Sequence, residues 1–211
     1  MYDTVIFDLD GTLLYTLEDL ADSVNHILSE HGYPVHSYEK VQTFIGSGAK
    51  NLMTMSLPKD VSEETIEECF KEFKAYYTAH SQIKTRPYDG IMEMLESLKN
   101  KGIKMAIVSN KNAEAVTELQ KIYFKDTIEL AVGEGGSIRR KPDPSSILYA
   151  MDVLKAEKAL YVGDSLNDSL ASKNAGVDCC LCDWGFGYDI DKMEARYIVS
   201  TAEELEKIIT E

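Results

Sequence analysis

Short apolar runs, each followed by a longer amphipathic segment, recur along this chain, and that alternation constrains its fold more than any other feature. The runs are Thr4 to Leu9, Ile103 to Ser109, Ile128 to Val132, Ala159 to Gly163 and Asp178 to Cys182, with Tyr197 to Val199 as a short sixth. Strands separated by helical segments pair in parallel, because a parallel neighbour is reached only through a crossover. The pattern predicts an α/β fold with a doubly wound, mostly parallel sheet core.

The alternation fails between Thr16 and His80, where only helical patterns occur: Leu17 to Glu30, Ser37 to Phe44, Ala49 to Leu57 and Ser62 to Tyr77. Leu17, Leu20, Val24, Ile27 and Leu28 share one helical face, and Gly32 is placed to stop that helix. A helical block entered after the first strand and left before the second is expected to be an inserted domain. The expected division is 1–14 with 85–211 for the sheet core and 15–84 for the insert, with re-entry at Arg86-Pro87-Tyr88-Asp89-Gly90.

The 22 Lys and Arg stand against 36 Asp and Glu, a net charge of −14, which disfavours phosphodiester backbones and anionic lipid surfaces. No nucleic-acid or membrane partner is expected. No apolar run approaches the roughly 20 residues needed to cross a bilayer, and no basic leader is seen, so a cytoplasmic location is the expectation. Cys179 and Cys182 formally make a C-x-x-C pair, but no second pair follows and they lie in an apolar run, which favours buried strand cysteines over a metal or redox site. His26, His31, His36 and His80 all fall in the helical block without metal-ligand spacing. Neither a dinucleotide glycine fingerprint nor a phosphate-binding loop of the G-x-x-x-x-G-K-[ST] type occurs.

The chemistry-bearing residues sit where the expected strands end. The first strand runs into Asp8-Leu9-Asp10-Gly11-Thr12, and open α/β sheets place ligands at that end. Two close carboxylates repel unless a cation offsets them, and a hard oxygen-seeking ion such as Mg²⁺ suits them; a plain Asp-Gly turn is the alternative. After the fourth strand comes Gly163-Asp164-Ser165-Leu166-Asn167-Asp168, in which Ser165 is placed to cap a helix and Asp168 lies one turn beyond Asp164. The densest basic cluster is Arg139-Arg140-Lys141-Pro142-Asp143-Pro144; Asp143 and Pro144 are expected to start a helix and so fix the backbone after Lys141, while the arginines suit a solvated surface. Ser109-Asn110-Lys111 ends the second strand with a hydroxyl, an amide and nearby backbone donors. In the helical block, the side-chain-free Gly46 and Gly48 let their loop approach a ligand closely, with Ser47 or Lys50 as donors; an ordinary connecting loop is the alternative.

Taken in order, Asp8-x-Asp10-Gly11-Thr12, Ser109, Lys141-Pro142 and Gly163-Asp164-x-x-x-Asp168 resemble the four-motif signature of the haloacid dehalogenase-like (HAD) superfamily of hydrolases. The helical block is similar to that superfamily's cap, and Phe44 to Ala49 resembles the cap loop of its phosphoglycolate phosphatase-like branch. One departure is local: where the branch commonly carries Asp shortly after Gly11-Thr12-Leu13, this chain has Tyr15.

The resemblance implies Asp8 as nucleophile, Asp10 as general acid and base, and Lys141 with Ser109 as stabilisers of the transferring phosphoryl group. It further implies phosphate or substrate contacts at Gly11, Thr12 and Asn110, and Mg²⁺ held by Asp8, Asp10 through its backbone carbonyl, and Asp164, with Asp168 in contact directly or through water. The function so implied is Mg²⁺-dependent hydrolysis of a small phosphorylated metabolite through an aspartyl-phosphate, phosphoglycolate first among substrates, by a monomer or weak homodimer. A phosphomutase or pyrophosphatase would share this chemistry, and a phospho-accepting signalling module without turnover is the rival from another class.

Overall fold

The computed structural model describes residues 1–211. The chain divides into two compact units, Met1–Leu14 with Pro87–Glu211, and Tyr15–Arg86. In chain order the elements begin with β1 (Thr4–Phe7) and β2 (Leu14–Tyr15). The helices α1 (Leu17–Glu30), α2 (Tyr38–Gln42), α3 (Ala49–Ser56) and α4 (Glu63–His80) follow. Then come β3 (Arg86–Pro87), α5 (Ile91–Asn100), β4 (Lys104–Asn112), α6 (Ala113–Leu119) and β5 (Leu130–Glu134). The rest is α7 (Ser145–Leu154), β6 (Ala159–Gly163), α8 (Leu166–Ala175), β7 (Asp178–Cys182), β8 (Tyr197–Val199) and α9 (Ala202–Thr210).

The first unit is built on a six-stranded sheet in the order β5-β4-β1-β6-β7-β8, every pairing parallel. All four residues of β1 are buried, because both faces of a parallel sheet are covered. One face packs against α5, α6 and α9, through Leu95, Leu98, Val116, Leu119, Leu205 and Ile209. The other carries Ile6, Val108 and Tyr161 against Ile147 and Ala150 of α7 and Ala171 of α8. This is the doubly wound α/β arrangement expected from the alternation. Because β1 is flanked by β4 and β6, the strand order reverses around it, and the carboxyl ends of these three strands form the crevice such sheets use for ligands.

Three strands differ at their ends from the apolar runs, and the first of them, β1, stops at Phe7 instead of Leu9, where the chain leaves the ladder for the turn that follows Asp8. β4 continues through Lys111 to Asn112, past the expected end at Ser109, and its register against β5 shifts between Val108 and Asn112. Irregular pairing of this kind re-aims side chains beside functional sites. β5 starts at Leu130 and reaches Glu134, two residues later than expected at each end. The short β2 and β3, which have no hydrophobic pattern of their own, pair as a separate two-stranded sheet.

In the second unit, α1 buries Leu17, Leu20, Val24, Ile27 and Leu28, the predicted stripe. It packs on α4 and α2, and α3 packs on α4. Ser37 and Ser62 cap α2 and α4 by accepting from Lys40 N–H and Thr65 N–H. Asp19, buried on α1, accepts from the backbone N–H groups of Lys84 and Thr85 at 2.8–3.0 Å and so fastens the returning chain to the first helix. His26 of α1 stacks on Tyr76 of α4 at 3.8 Å, Tyr76 stacks in turn on His80 of its own helix at 3.9 Å, and His31 meets Glu72 at 2.7 Å.

Candidate active site

The N–H of Asp8 still bonds to Val162 C=O at 2.8 Å, so the strand geometry of β1 carries this carboxylate to the sheet's edge. The chain then turns sharply. Leu9 C=O accepts from Thr12, Leu13 and Leu14 N–H, and Gly11 takes φ +85°, a conformation an L side chain rarely adopts. A Cβ at Gly11 would also lie 2.3 Å from Asp164 Oδ2, so the glycine is required twice over.

Asp8, Asp164 and Asp168 each present an oxygen within 4.8 Å of the others, and all three are buried. Between them lies Lys141. Its ammonium donates to Asp168 Oδ1 at 2.7 Å and Tyr161 OH at 3.0 Å, and pairs with Asp8 Oδ1 at 2.8 Å. Asn110 fixes the Lys141 backbone from both sides: Oδ1 accepts from Lys141 N–H at 2.7 Å and Nδ2 donates to Lys141 C=O at 3.2 Å. The Asn110 side-chain amide thus braces the lysine. The helix after Lys141 begins at Ser145 rather than at Pro144, with Asp143 Oδ1 accepting from Ser145 N–H at 2.9 Å. Arg140, expected to be solvated, pairs with Glu134 at 2.6 Å, while Arg139 is exposed.

Asp168 is engaged on both oxygens. Oδ1 takes Lys141 and Tyr161; Oδ2 accepts from Asp164 N–H at 3.2 Å, Ser165 N–H at 3.0 Å and Ser165 Oγ at 2.5 Å. Burial opposes its charge, but Lys141 and these donors together hold its carboxyl below the usual range. Asp8 goes the other way: burial pushes it well up, and Asp168 and Asp164 add to the rise while Lys141 opposes it. Asp164 is pushed up to about 7, by burial first and then by Asp168. Lys141 is held above its ordinary value by Asp168 and Asp8 despite its burial.

Two features at this site have no role assigned from the sequence, although Lys111 stands in the Ser109-Asn110-Lys111 run at the second strand's end. The loop after β7 lies against Asp164: Phe186 N–H donates to Asp164 Oδ2 at 2.6 Å, and a Cβ on Gly185 would sit 2.3 Å from Asp164 Cβ. Trp184 Nε1 donates to Thr12 C=O at 3.1 Å, and the Thr12 hydroxyl donates to Asp164 Oδ1 at 3.3 Å, so Thr12 steadies the carboxylate and the loop together. The second feature is Lys111, whose ammonium lies 3.3 Å from Asp10 Oδ1 with only 8% of its side chain exposed. Ser109 is buried and its hydroxyl accepts from Lys111 N–H at 3.3 Å.

Four carboxylates, Asp8, Asp10, Asp164 and Asp168, therefore meet two ammoniums, Lys111 and Lys141, and two negative charges are left over in a largely buried space when all four are ionised, which is what the raised Asp8 and Asp164 resist. A hard divalent cation would balance them, and carboxylate oxygen is the donor type it prefers. The residues fit such an ion.

Ser47 and Lys50 belong to the helical unit, where Lys50 is ion-paired with Glu67 and with Glu63. Tyr15, in the position where the resembling branch has Asp, lies with its ring 4.5 Å from the Arg86 guanidinium, which also meets Glu18 at 3.2 Å. The thiols form no disulfide: Cys179 and Cys182 stand on opposite faces of β7, as strand alternation requires, and all four cysteines are buried.

A carboxylate at the end of the central strand, a buried lysine and a carboxylate cluster on a doubly wound sheet fit a phosphate-handling hydrolase. The chain belongs to the haloacid dehalogenase-like hydrolases, whose family model matches residues 5–182. Within that family it is similar to the phosphoglycolate phosphatase of Thiobacillus denitrificans, 32% identical over 215 residues covering 98% of this chain and 95% of the relative. The phosphoglycolate phosphatase of Aquifex aeolicus is 35% identical over 185 residues, covering 86% and 85%. A crystal structure from Haemophilus somnus, described as a predicted phosphoglycolate phosphatase, superimposes with a TM-score of 0.91 at 29% identity, covering 98% and 97% of the two chains. The chain is thus an enzyme of the phosphatase type, phosphoglycolate phosphatase-like. No helix is long and apolar enough to cross a membrane.

Proposed function

We propose that this enzyme hydrolyses a small phosphomonoester, 2-phosphoglycolate first among candidates, through an aspartyl-phosphate on Asp8. The observation that carries the reading is the convergence of the buried Asp8, Asp164, Asp168 and Lys141 side chains at the carboxyl end of the central strand. The relatives' names supply the substrate candidate.

Asp8 attacks phosphorus in line, and Asp10 gives a proton to the departing alcohol and later takes one from the hydrolysing water. Lys141, held rigidly by Asn110, Asp168 and Tyr161, faces charge developing on the transferring group. Ser109 and the backbone amides near Asp10 and Asn110 add donors there. Asp8, the Asp10 carbonyl and Asp164 would hold Mg²⁺, which would supply positive charge to screen the nucleophile from the incoming dianion. Asp168, with both oxygens engaged, acts by fixing Lys141 and the start of α8. The Tyr15–Arg86 unit serves as the cap, with Ser47 and Lys50 selecting among leaving groups.

Phosphate release from 2-phosphoglycolate with Mg²⁺, abolished by excess chelator and restored by Mg²⁺, is the expected result. Undiminished rates in chelator would overturn the metal assignment. Transfer of the phosphoryl group to a second hydroxyl without phosphate release would mark a mutase.

The loop after β7 makes a second prediction. Gly185→Ala must push Asp164 or the loop aside and so disturb the Phe186 bond. Outer partners of metal ligands are commonly worth about 10- to 100-fold in ion affinity. Half-maximal activation should therefore need Mg²⁺ raised by about that factor, with maximal turnover less affected. An unchanged Mg²⁺ activation curve would show that the loop does not aim Asp164.

A further inference from the structure

We propose that Lys111 is a specificity residue that anchors a carboxylate on the leaving group, so that the preferred substrates are phosphate esters of small hydroxy acids. The inference rests on the phosphomonoesterase reading above and deepens it.

The two ammoniums at this site have different places. Lys141 is buried on the side of Asp8, between that carboxylate and Asp168, where the phosphoryl group is attacked. Lys111 is on the side of Asp10, 3.3 Å from its Oδ1, and by the roles proposed above that is where the leaving alcohol departs. A cation beside the leaving group has no part in stabilising the phosphoryl oxygens that Lys141 faces. It is placed to meet a charge on the alcohol.

The charges make the case sharper. An extra anion on the substrate enters beside the carboxylates of Asp8, Asp164 and Asp168, whose negative charges a divalent ion and Lys141 already offset, and so gains no general electrostatic benefit there. Only a local donor can hold it. Lys111 supplies a nearly buried one, on a backbone set by the Ser109 hydroxyl at 3.3 Å and by the irregular end of β4. A single ammonium already facing one carboxylate suits a second carboxylate better than a phosphate dianion, whose doubled charge would need further cations.

The test compares phosphate release from 2-phosphoglycolate and from 2-hydroxyethyl phosphate, which has a hydroxyl where the first has a carboxylate, using the full-length enzyme in saturating Mg²⁺. The wild type should favour the carboxylate ester. Lys111→Gln should lower the ratio of the two kcat/KM values by about 10- to 100-fold, the range set by one charge-assisted hydrogen bond, mainly through KM for the carboxylate ester. Lys111→Arg should recover most of the ratio. Glycolate should inhibit the wild type more strongly than ethylene glycol, a readout that needs no variant. A lysine that merely steadied Asp10 or the fold would depress both esters together and leave the ratio unchanged, and that result would overturn the proposal. Equal inhibition by glycolate and ethylene glycol would also overturn it. Phosphate release from neither ester by the wild type would bring down the phosphomonoesterase reading and this one with it.

Discussion

Asp8→Asn is expected to lose turnover by on the order of 10⁴-fold or more while the protein, stripped of metal, becomes more stable than the wild type. The first effect follows because an amide of the same shape cannot attack phosphorus. The second follows from the charge balance of the site. Burial disfavours the charged form of Asp8, and the neighbouring Asp168 and Asp164 carboxylates disfavour it further. A group whose folded-state pKa is raised binds its proton more tightly in the native chain, so the wild type loses stability as pH rises above the ordinary carboxyl value of 3.8 toward the folded one. Asparagine mimics the neutral form at every pH. The two proteins should therefore unfold at similar temperatures near pH 4 in chelator and diverge as pH rises, with the variant ahead. Saturating Mg²⁺ should narrow or reverse the gap, because the wild type gains stability from a ligand the variant holds less well. Thermal melts across pH, with and without chelator, read one effect, and phosphate release reads the other. Turnover within tenfold of wild type would exclude Asp8 as nucleophile. A variant less stable than wild type in chelator at neutral pH would exclude the surplus of buried negative charge.

What the sequence disclosed and what it hid have physical reasons. Buried parallel strands are continuous apolar runs, so β6 and β7 fall on the residues the pattern predicts, as does the apolar edge strand β8, and α1 does so through its helical stripe. The last residues of β4 were hidden because Lys111 and Asn112 are polar and extend the strand beyond its apolar part. The acidic motifs were legible because carboxylates gathered at the ends of buried strands repel one another unless a cation joins them. Their supports were not. Phe186 reaches Asp164 through a backbone N–H, which every residue but proline possesses, and Gly185 is needed for lack of a side chain rather than for having one. Asn110 was legible as a polar group at the right strand end, but which neighbour its amide would take depends on the chain returning at Lys141, 31 residues later. Lys111 was legible only as the end of the Ser109-Asn110-Lys111 run, and its partner Asp10 emerged when β4 was set beside β1.

Lys141→Met should be costly in both stability and rate, and a second substitution separates the two. The methionine fills a similar volume but leaves Asp8 and Asp168 without their shared cation, and removing one partner of a buried ion pair typically costs about 3–5 kcal/mol. Turnover should fall by about 10²- to 10³-fold, as when a donor to a developing oxyanion is lost. Asp168 is the better place to restore balance, since its charge is the one that Lys141 and its other donors hold in the ionised form. In Lys141→Met with Asp168→Asn, the amide oxygen can keep the bonds from Ser165 and Asp164 N–H that start α8, the Asp168 charge is gone, and Asp8 is left in a setting that already favours its neutral form. Urea unfolding in chelator should show the double variant recovering most of the lost stability, while phosphate release stays as low as in the single variant. That outcome would make Lys141 a residue with two separable tasks, neutralising Asp168 in the resting fold and facing the phosphoryl group in the reaction. Recovery of turnover together with stability would mean that the lysine serves only to hold the strand ends in place. A single variant as stable as wild type would mean that its ammonium is not the counter-charge of the buried carboxylates.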